Sequence, residues 1–490
     1  MPGKYKYLLI LILSLILADV SAQNSQVLYF MNLPQNHLLN PALRPSNSIY
    51  IGLPVLSGFN INVNNNFVNY SDVFLKGQPS DSIISVLNPK YNIDDFLAKI
   101  KNKNSLEPEV TVQLFGLGFS VGKTGYVFFD VNERIDGNIV IPKDLFKLAF
   151  KGNEGFVGSK IDLSSLRGDL KYYREFGLGY SKDFTNKLRL GVKGKLLFGV
   201  AAASIDNKAL GITVNNDYSH TFNADITANF SAPLKVTKNA DKSVESIVFD
   251  DSRLDNGSGI ANFISGKKNI GLGLDLGATY DFSEKLIVSA SITDLGFIKW
   301  KKDVTNLKSK GKFDFSGLNI VDVVNGTKTI DEVAQDMIDS LKNSFKVTDS
   351  NTAFTTFLPF GLSLAGSYNL TKSFSVGVLS YSRFIGKQMR ESLTLSANVN
   401  LGNAFSASIS YTAENHRYDN LGAGLAFRPG IFQFYIVSDR LPVTWNKIKS
   451  DNSTVLIPAN WNTFNLRLGM NLAFGNRIKK KNDKPMVLVE

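Results

Sequence analysis

The sequence predicts an all-β fold, a transmembrane antiparallel β-barrel of 14 strands, with 16 strands as the alternative. Three observations lead to this prediction. Apolar and polar residues alternate in segments of roughly ten residues, such as 393–401 and 405–411, with turn residues between the segments. The second face of these segments consists of Gly, Ser, Asn and Thr, which is typical of a wet barrel interior. After residue 22, no apolar run approaches the length of about 18 residues that a transmembrane helix needs.

The first 22 residues are typical of a secretory signal peptide. Two lysines precede an apolar run over residues 7–18, and small residues stand three and one positions before the bond between Ala22 and Gln23. The apolar run is too short for a membrane anchor, which needs about 20 residues. We therefore expect cleavage after Ala22, export, and a final location in the cell outer membrane.

Residues 23–56 are predicted to form an N-terminal plug or periplasmic segment that precedes the barrel wall. Pro41 holds Asn40 in an extended conformation, so the sequence around it should form a turn before the first strand. A short alternating segment at 48–53 would break the even strand number if it counted as a strand. We place it with the N-terminal segment and predict the barrel itself over residues 57–474.

The lengths of the connections support a barrel. Outer-membrane barrels have short periplasmic turns and long external loops. Short turns alternate along this chain with long connections at 71–108, 136–169, 301–357 and 442–460. The strand number depends on residues 205–268. It is 14 if they form one external excursion, and 16 if 218–231 and 243–250 form a membrane hairpin.

A few short helices are expected within the connections. Apolar residues at helical spacing between Ile330 and Phe345 predict an amphipathic helix in the long 301–357 connection. Segments 94–100 and 142–150 are shorter helix predictions. The apolar faces are narrow, which favours helices that cap the barrel mouth over helices that bind a partner.

The last predicted strand carries a pattern that points to assembly in the outer membrane. Arg467, Gly469, Leu472 and Phe474 match the polar-x-Gly-x-x-apolar-x-aromatic pattern by which outer-membrane barrels resemble one another in their final strand. The alternation predicts that the apolar residues of this strand face lipid and that Arg467 faces the lumen. Residues 475–490 are predicted to be a basic periplasmic tail.

Catalytic, cofactor and metal sites are not expected. Gly122-Lys123-Thr124 ends like a phosphate-binding loop, but Leu117 stands where that motif requires Gly. The three histidines have no partners at metal-ligand spacing, the chain has no Cys, and no Gly-x-Ser-x-Gly motif occurs. We predict that the chain is not an enzyme. The net charge is +11, but the basic residues are scattered, which favours contact with lipid or lipopolysaccharide over nucleic acid.

Two short motifs suggest a family. Asn40-Pro41-Ala42 and Asp294-Leu295-Gly296 are the clearest matches to a Bacteroidota-type family of exported outer-membrane barrels of unknown function, which the chain resembles over most of residues 25–475. That family is similar in layout to PorV, to PorP/SprF and, more distantly, to the FadL fatty-acid channels. The resemblance implies 14 strands rather than 16, a luminal N-terminal segment and no catalytic residues.

Two functions remain open from the sequence. The first is a passive channel, transporter or binder for a hydrophobic or small solute, because a lumen follows from the strand number. The alternative, which the resemblance suggests, is a non-transporting scaffold or accessory subunit of a type IX secretion, gliding or surface-attachment complex. The expected partners are outer-membrane lipid, lipopolysaccharide and the barrel insertion machinery. In the second case they include a secretion-complex or surface protein.

Overall fold

The computed structural model describes most of the chain between residues 26 and 475. The described ranges are 26–76, 83–316, 343–386, 388–414, 417–450, 453–459 and 462–475, with isolated positions between 327 and 340. The predicted signal peptide with its cleavage site at Ala22 and Gln23 lies outside these residues. So does nearly all of the predicted tail, since only Gly475 of residues 475–490 is described.

Fourteen antiparallel strands close into a barrel, as the sequence predicts. The first wall strand is interrupted, because its two halves, Ile49–Gly52 (β1) and Phe59–Asn65 (β2), pair with the same two neighbours. The other wall strands follow in chain order, each paired with the next: Lys103–Val121 (β5), Gly125–Pro142 (β6), Arg167–Asp183 (β8), Leu188–Val214 (β9), Ile270–Asp281 (β13), Leu286–Trp300 (β14), Phe360–Asn369 (β18), Phe374–Ile385 (β19), Gln388–Leu401 (β20), Phe405–Glu414 (β21), Arg417–Phe427 (β22), Phe432–Leu441 (β23) and Thr463–Phe474 (β26). The last strand pairs with the first and closes the barrel.

The barrel wall begins at Ile49, which corrects the predicted boundary between residues 56 and 57. Ile49 lies opposite Phe474 on one side and Phe119 on the other, so β1 is part of the wall. The strand parity is preserved because β1 and β2 are halves of one strand, separated by an irregular segment at 53–58. Sequence alternation alone does not show that two short segments share the same neighbours.

The choice of 14 strands over 16 is decided by β9, which is 27 residues long. Its first half pairs with β13 in the wall, and its second half, Ala202–Val214, pairs instead with His220–Ser231 (β10). Beyond the wall, β10 is followed by Val304–Phe315 (β15) and Val347–Ser350 (β16), which extend the sheet. Residues 205–268 therefore extend beyond the barrel wall as one long connection. They do not add a membrane-spanning hairpin to the wall.

The remaining strands are short and lie in the connections. They are Phe74–Lys76 (β3), Ile83–Ser85 (β4), Ser159–Asp162 (β7), Leu234–Lys238 (β11), Val244–Phe249 (β12), Phe354–Phe357 (β17), Trp445–Ser450 (β24) and Ser453–Pro458 (β25). Three pairs of them, β3 with β4, β11 with β12, and β24 with β25, form separate two-stranded hairpins. These hairpins lie in connections at the end of the barrel opposite the tight turns.

The two ends of the barrel differ in the length of their connections. At the end that contains Ile49 and Phe474, every wall connection is a tight turn, and Gly122, Gly402 and Gly430 take positive φ there. At the other end, most connections are long. Two connections at that end are also tight, between β19 and β20 and between β21 and β22. We call the two ends the short-turn end and the long-loop end.

The helices are few and short, as predicted. They are Gln26–Tyr29 (α1), Tyr70–Val73 (α2), Ile93–Lys99 (α3), Lys143–Lys151 (α4) and Gly257–Ile264 (α5), with 3-10 turns at Pro34–Leu38, Glu154–Phe156 and Asp251–Leu254. The predicted helices at 94–100 and 142–150 correspond to α3 and α4, which contact each other through Phe96, Phe146 and Phe150. The amphipathic helix predicted between Ile330 and Phe345 lies largely outside the described residues. No described helix is long and apolar enough to cross a membrane.

The wall has an apolar outside and a polar inside. Outward-facing residues such as Leu178, Leu364 and Ile409 are more than half exposed. Neighbouring inward-facing residues such as Asn398 and Ser408 are buried. An exposed apolar band around a closed antiparallel wall is the surface that a barrel presents to lipid.

Candidate functional site: a plugged lumen with two cavities

The N-terminal segment 26–47, which we call the plug, lies inside the barrel. All of its residues are buried except Leu38 and Leu39. Val27, Leu28 and Met31 pack against Tyr435 and its neighbours on one side of the wall. Tyr29, Phe30 and Leu43 pack against Ile287, Ala365 and Leu379 on the opposite side. The plug therefore packs its apolar side chains against apolar patches on the inner face of the wall.

Hydrogen bonds fix the plug at both ends. Near the long-loop end, the Val27 amide donates to the Asp439 carboxylate at 2.9 Å, and the Gln26 amide oxygen accepts from Thr394 and Thr412. Near the short-turn end, Arg44 donates to the carbonyl of Thr124 at 2.9 Å. The plug thus runs from the long-loop half of the lumen to the short-turn end and fills that end.

Asn40-Pro41-Ala42, one of the two motifs predicted from the sequence, docks the plug on the wall. The Asn40 side-chain oxygen accepts from the Ala42 amide at 2.9 Å, and its nitrogen donates to the carbonyls of Ala278 and Ala290. A Cβ on Gly191 would lie 2.3 Å from the Pro41 carbonyl, and one on Gly277 would lie 2.0 Å from the Asn40 oxygen. These two glycines let the plug backbone approach β9 and β13 closely.

A network of buried charges surrounds the middle of the lumen. Lys193 Nζ lies 2.9 Å from both Asp130 and Glu175, and all three side chains are buried. His37 of the plug contacts the same Asp130 at 3.2 Å. A buried charge is tolerated only when it is paired and hydrogen-bonded, so this network links the plug firmly to the wall.

Asp294, in the second family motif, belongs to the same network. It has a φ of 61° and stands in a bulge where β14 has one residue more than β13, so its side chain turns inward. There its carboxylate lies 2.8 Å from Arg134 and 2.6 Å from Lys195. Leu295 faces outward, and a Cβ on Gly296 would meet the Leu272 carbonyl at 2.6 Å. The motif combines a bulge, an inward carboxylate and a close strand contact.

Among the described residues, two cavities lie in the lumen beside the plug and between it and the long-loop end. The inner cavity, of about 80 Å³, borders the partly buried plug residues Leu38 and Leu39. The outer cavity, of about 340 Å³, lies near the long-loop end and has a mixed apolar and charged lining. Glu109 lines both cavities, and its ion pair with Arg383 at 2.9 Å lies where they meet.

The wall ladder is open over a short stretch between β23 and β26. Their pairing ends at Val437 and Arg467, although β23 continues to residue 441 and β26 begins at residue 463. Hydrogen bonds from Ser438 and Asp439 to Asn465 replace the ladder there. A mainly apolar cleft of about 320 Å³ lies on the outer surface at this stretch. We call this stretch the wall split.

Comparison with known proteins places the chain in a family. A protein-family model matches residues 41–439, most of the chain. The chain belongs to that family, a family of unknown function (DUF5723). The match begins within the plug at Pro41 and ends in β23, so it includes both Asp294 and the docking glycines. No curated protein matches this DUF5723 chain in sequence.

Solved structures similar to the DUF5723 chain include a hydrocarbon channel, a FadL homologue and a toluene transporter. A mutant of the monoaromatic hydrocarbon channel TodX is 9% identical, covers 94% of this chain and 98% of its own, and has a TM-score of 0.41. A Pseudomonas aeruginosa FadL homologue is 9% identical, covers 93% and 100%, and has a TM-score of 0.41. The Ralstonia pickettii toluene transporter TbuX is 8% identical, covers 90% and 94%, and has a TM-score of 0.39.

The residues predicted as an assembly signal all lie in the closing strand β26. Arg467 lines the inner cavity, and Gly469 lies against Ser57 and the Tyr435 ring. Leu472 and Phe474 alternate with Asn471 and Ala473, which are fully buried in the lumen. The predicted facing of the strand therefore agrees with the structure. Recognition of this strand by the insertion machinery stays a prediction.

The sequence did not indicate the charge network or the cavities. Lys193 and Lys195 stand on the polar face of β9, which the alternation shows, but their partners come from β6, β8, β13 and β14. Only the strand register brings these side chains together. In the described part of the chain, no group of three or more His, Asp or Glu side chains is arranged to hold a metal ion.

Proposed function

We propose that this protein is an outer-membrane β-barrel that admits a small or hydrophobic solute from its long-loop end. The observation that carries the proposal is the contrast between the two halves of the lumen. The plug fills the short-turn half, whereas the inner cavity lies at the middle of the lumen and the outer cavity near the long-loop end. A solute that enters the outer cavity therefore cannot continue straight along the barrel axis.

The wall split supplies the exit in this proposal. Arg467 lines the inner cavity, and its neighbour Leu466 lines the cleft on the outer surface, so the two spaces lie on opposite sides of the same stretch of β26. Hydrogen bonds from Ser438 and Asp439 to Asn465 bridge the strands there in place of a continuous ladder. Separation of β23 from β26 at this stretch would connect the lumen with the surrounding lipid.

A reversible cross-link across the split tests the route. The chain contains no Cys, so the pair Ser438→Cys and Asn465→Cys would form the only disulfide. The Ser438 hydroxyl already lies 2.7 Å from the Asn465 carbonyl. Cells that express this variant would be assayed for uptake of the hydrophobic dye N-phenylnaphthylamine. We expect oxidation to lower barrel-dependent uptake several-fold and reduction to restore it.

The matched control places the same disulfide in a closed part of the wall. Asn398 and Ser408 are direct cross-strand partners in the continuous ladder of β20 and β21. The pair Asn398→Cys and Ser408→Cys should leave dye uptake unchanged on oxidation. Equal uptake by the oxidised and reduced forms of the Ser438 and Asn465 variant would exclude the wall split as the route.

The proposed location in the outer membrane implies the proposed partners. The exposed apolar band would contact outer-membrane lipid and lipopolysaccharide, and the insertion machinery would engage β26. Likeness to PorV and PorP/SprF stays a prediction. The alternative function, a scaffold or accessory subunit of a type IX secretion, gliding or surface-attachment complex, has no support in the described residues or the comparisons.

A further inference from the structure

Arg467 differs from the other cations that line the inner cavity. Arg134 and Lys195 both form ion pairs with Asp294. Arg467 has no ion pair with a described residue, and none of its nitrogens donates a hydrogen bond to one. Its Nε is buried without a partner. Glu109 and Asp439 attract this guanidinium only from beyond ion-pair distance, so an anionic partner in direct contact would stabilise it.

The inner cavity offers the space for such a partner. A cavity of about 80 Å³ holds several water molecules, since one water needs roughly 10–15 Å³ of the same measure. The hydroxyl groups of Thr111 and Tyr381 also line it and can donate hydrogen bonds. An Arg guanidinium matches a carboxylate with two parallel hydrogen bonds.

We propose that the inner cavity binds a small organic monocarboxylate, such as acetate or propionate, with Arg467 as its counter-ion. The carboxylates of Glu109, Glu175 and Asp294 border the same space, so a second negative charge on the ligand would be repelled. One unpaired cation matches one ligand charge. This site would select solutes that carry an acidic group while they are bound in the lumen. Its role in transport rests on the proposed function.

The test measures binding of acetate to the full-length mature barrel in detergent micelles. Saturation-transfer NMR of the acetate methyl group gives an affinity for the wild type and for Arg467→Gln, Arg467→Lys and Arg390→Gln. Arg390 is a buried luminal cation that pairs with Glu107 and does not line the inner cavity. Acetamide, which has nearly the same shape and no charge, is the ligand control.

We expect Arg467→Gln to weaken acetate binding about tenfold or more, which corresponds to about 1.4 kcal/mol. Arg467→Lys and Arg390→Gln should retain acetate binding, and acetamide should not bind to the wild type. Equal acetate signals in the wild type and Arg467→Gln, or equal signals for acetate and acetamide, would overturn the proposal. The acetamide comparison uses the wild type alone, so it stands even if a variant fails to fold. Dye uptake through the wall split is measured in a separate experiment. Failure of the acetate proposal would therefore leave the proposed exit route untouched, and failure of the exit route would leave the acetate proposal untouched.

Discussion

Gly191 lacks a side chain at the point where the plug backbone touches the wall. A Cβ there would lie 2.3 Å from two backbone atoms of Pro41, which cannot move without shifting the plug. We predict that Gly191→Ala lowers the free energy of unfolding by about 1–3 kcal/mol. Gly194 lies on the same strand and has open space around its Cβ position, so Gly194→Ala should change the free energy by less than about 0.5 kcal/mol. Urea unfolding in lipid bilayers, followed by Trp fluorescence, measures both. Similar losses in the two variants would contradict the docking role of Gly191.

Lys193 is predicted to be the most sensitive single charge in the network. Its removal leaves Asp130 and Glu175 buried without their shared partner. We expect Lys193→Met to cost about 3–5 kcal/mol of unfolding free energy. Lys312, which pairs with Asp314 on the exposed surface, is the control, and Lys312→Met should cost under about 1 kcal/mol. The same unfolding measurement decides between them. A small effect at Lys193 would mean that water compensates the two carboxylates.

The strands and their facing could be predicted from the sequence, because alternation of apolar and polar residues reports directly on lipid and lumen. The register of the strands could not be predicted from the sequence. This register creates the bulge at Asp294, the wall split above Arg467 and the pairing of Lys195 with three other strands. The split first strand was missed for the same reason. β1 is only four residues long, and its membership of the wall depends on partners that are distant in the sequence.

The closing strand β26 allows the assembly signal to be separated from simple burial in lipid. Phe474 and Phe432 are both outward-facing aromatic residues at the short-turn end, on adjacent strands. We predict that Phe474→Asp sharply reduces the amount of heat-modifiable barrel in outer membranes, whereas Phe432→Asp has a smaller effect. If the two variants assemble equally well or equally poorly, burial in lipid alone explains Phe474, and the final-strand pattern is not a recognition signal.

The whole molecule combines a closed wall, a plug and, in its described part, cavities between the plug and the long-loop end. Buried salt bridges, the Asn40 contacts and two apolar clusters hold the plug in place. These contacts differ in kind and lie on different sides of the wall. A change at one of them should therefore loosen the plug without releasing it. The plug is a fixed part of the barrel at rest, and passage along the axis requires its removal.

Electrical recordings from single barrels in planar lipid bilayers test this claim most directly. The full-length mature barrel should show no steady ion conductance, because the plug fills the short-turn half of the lumen. A variant that lacks residues 26–47, and that still migrates as a folded barrel before heating, should show a large ohmic conductance. A steady conductance of the same size in both proteins would contradict the account, since it would mean that the plug does not close the lumen.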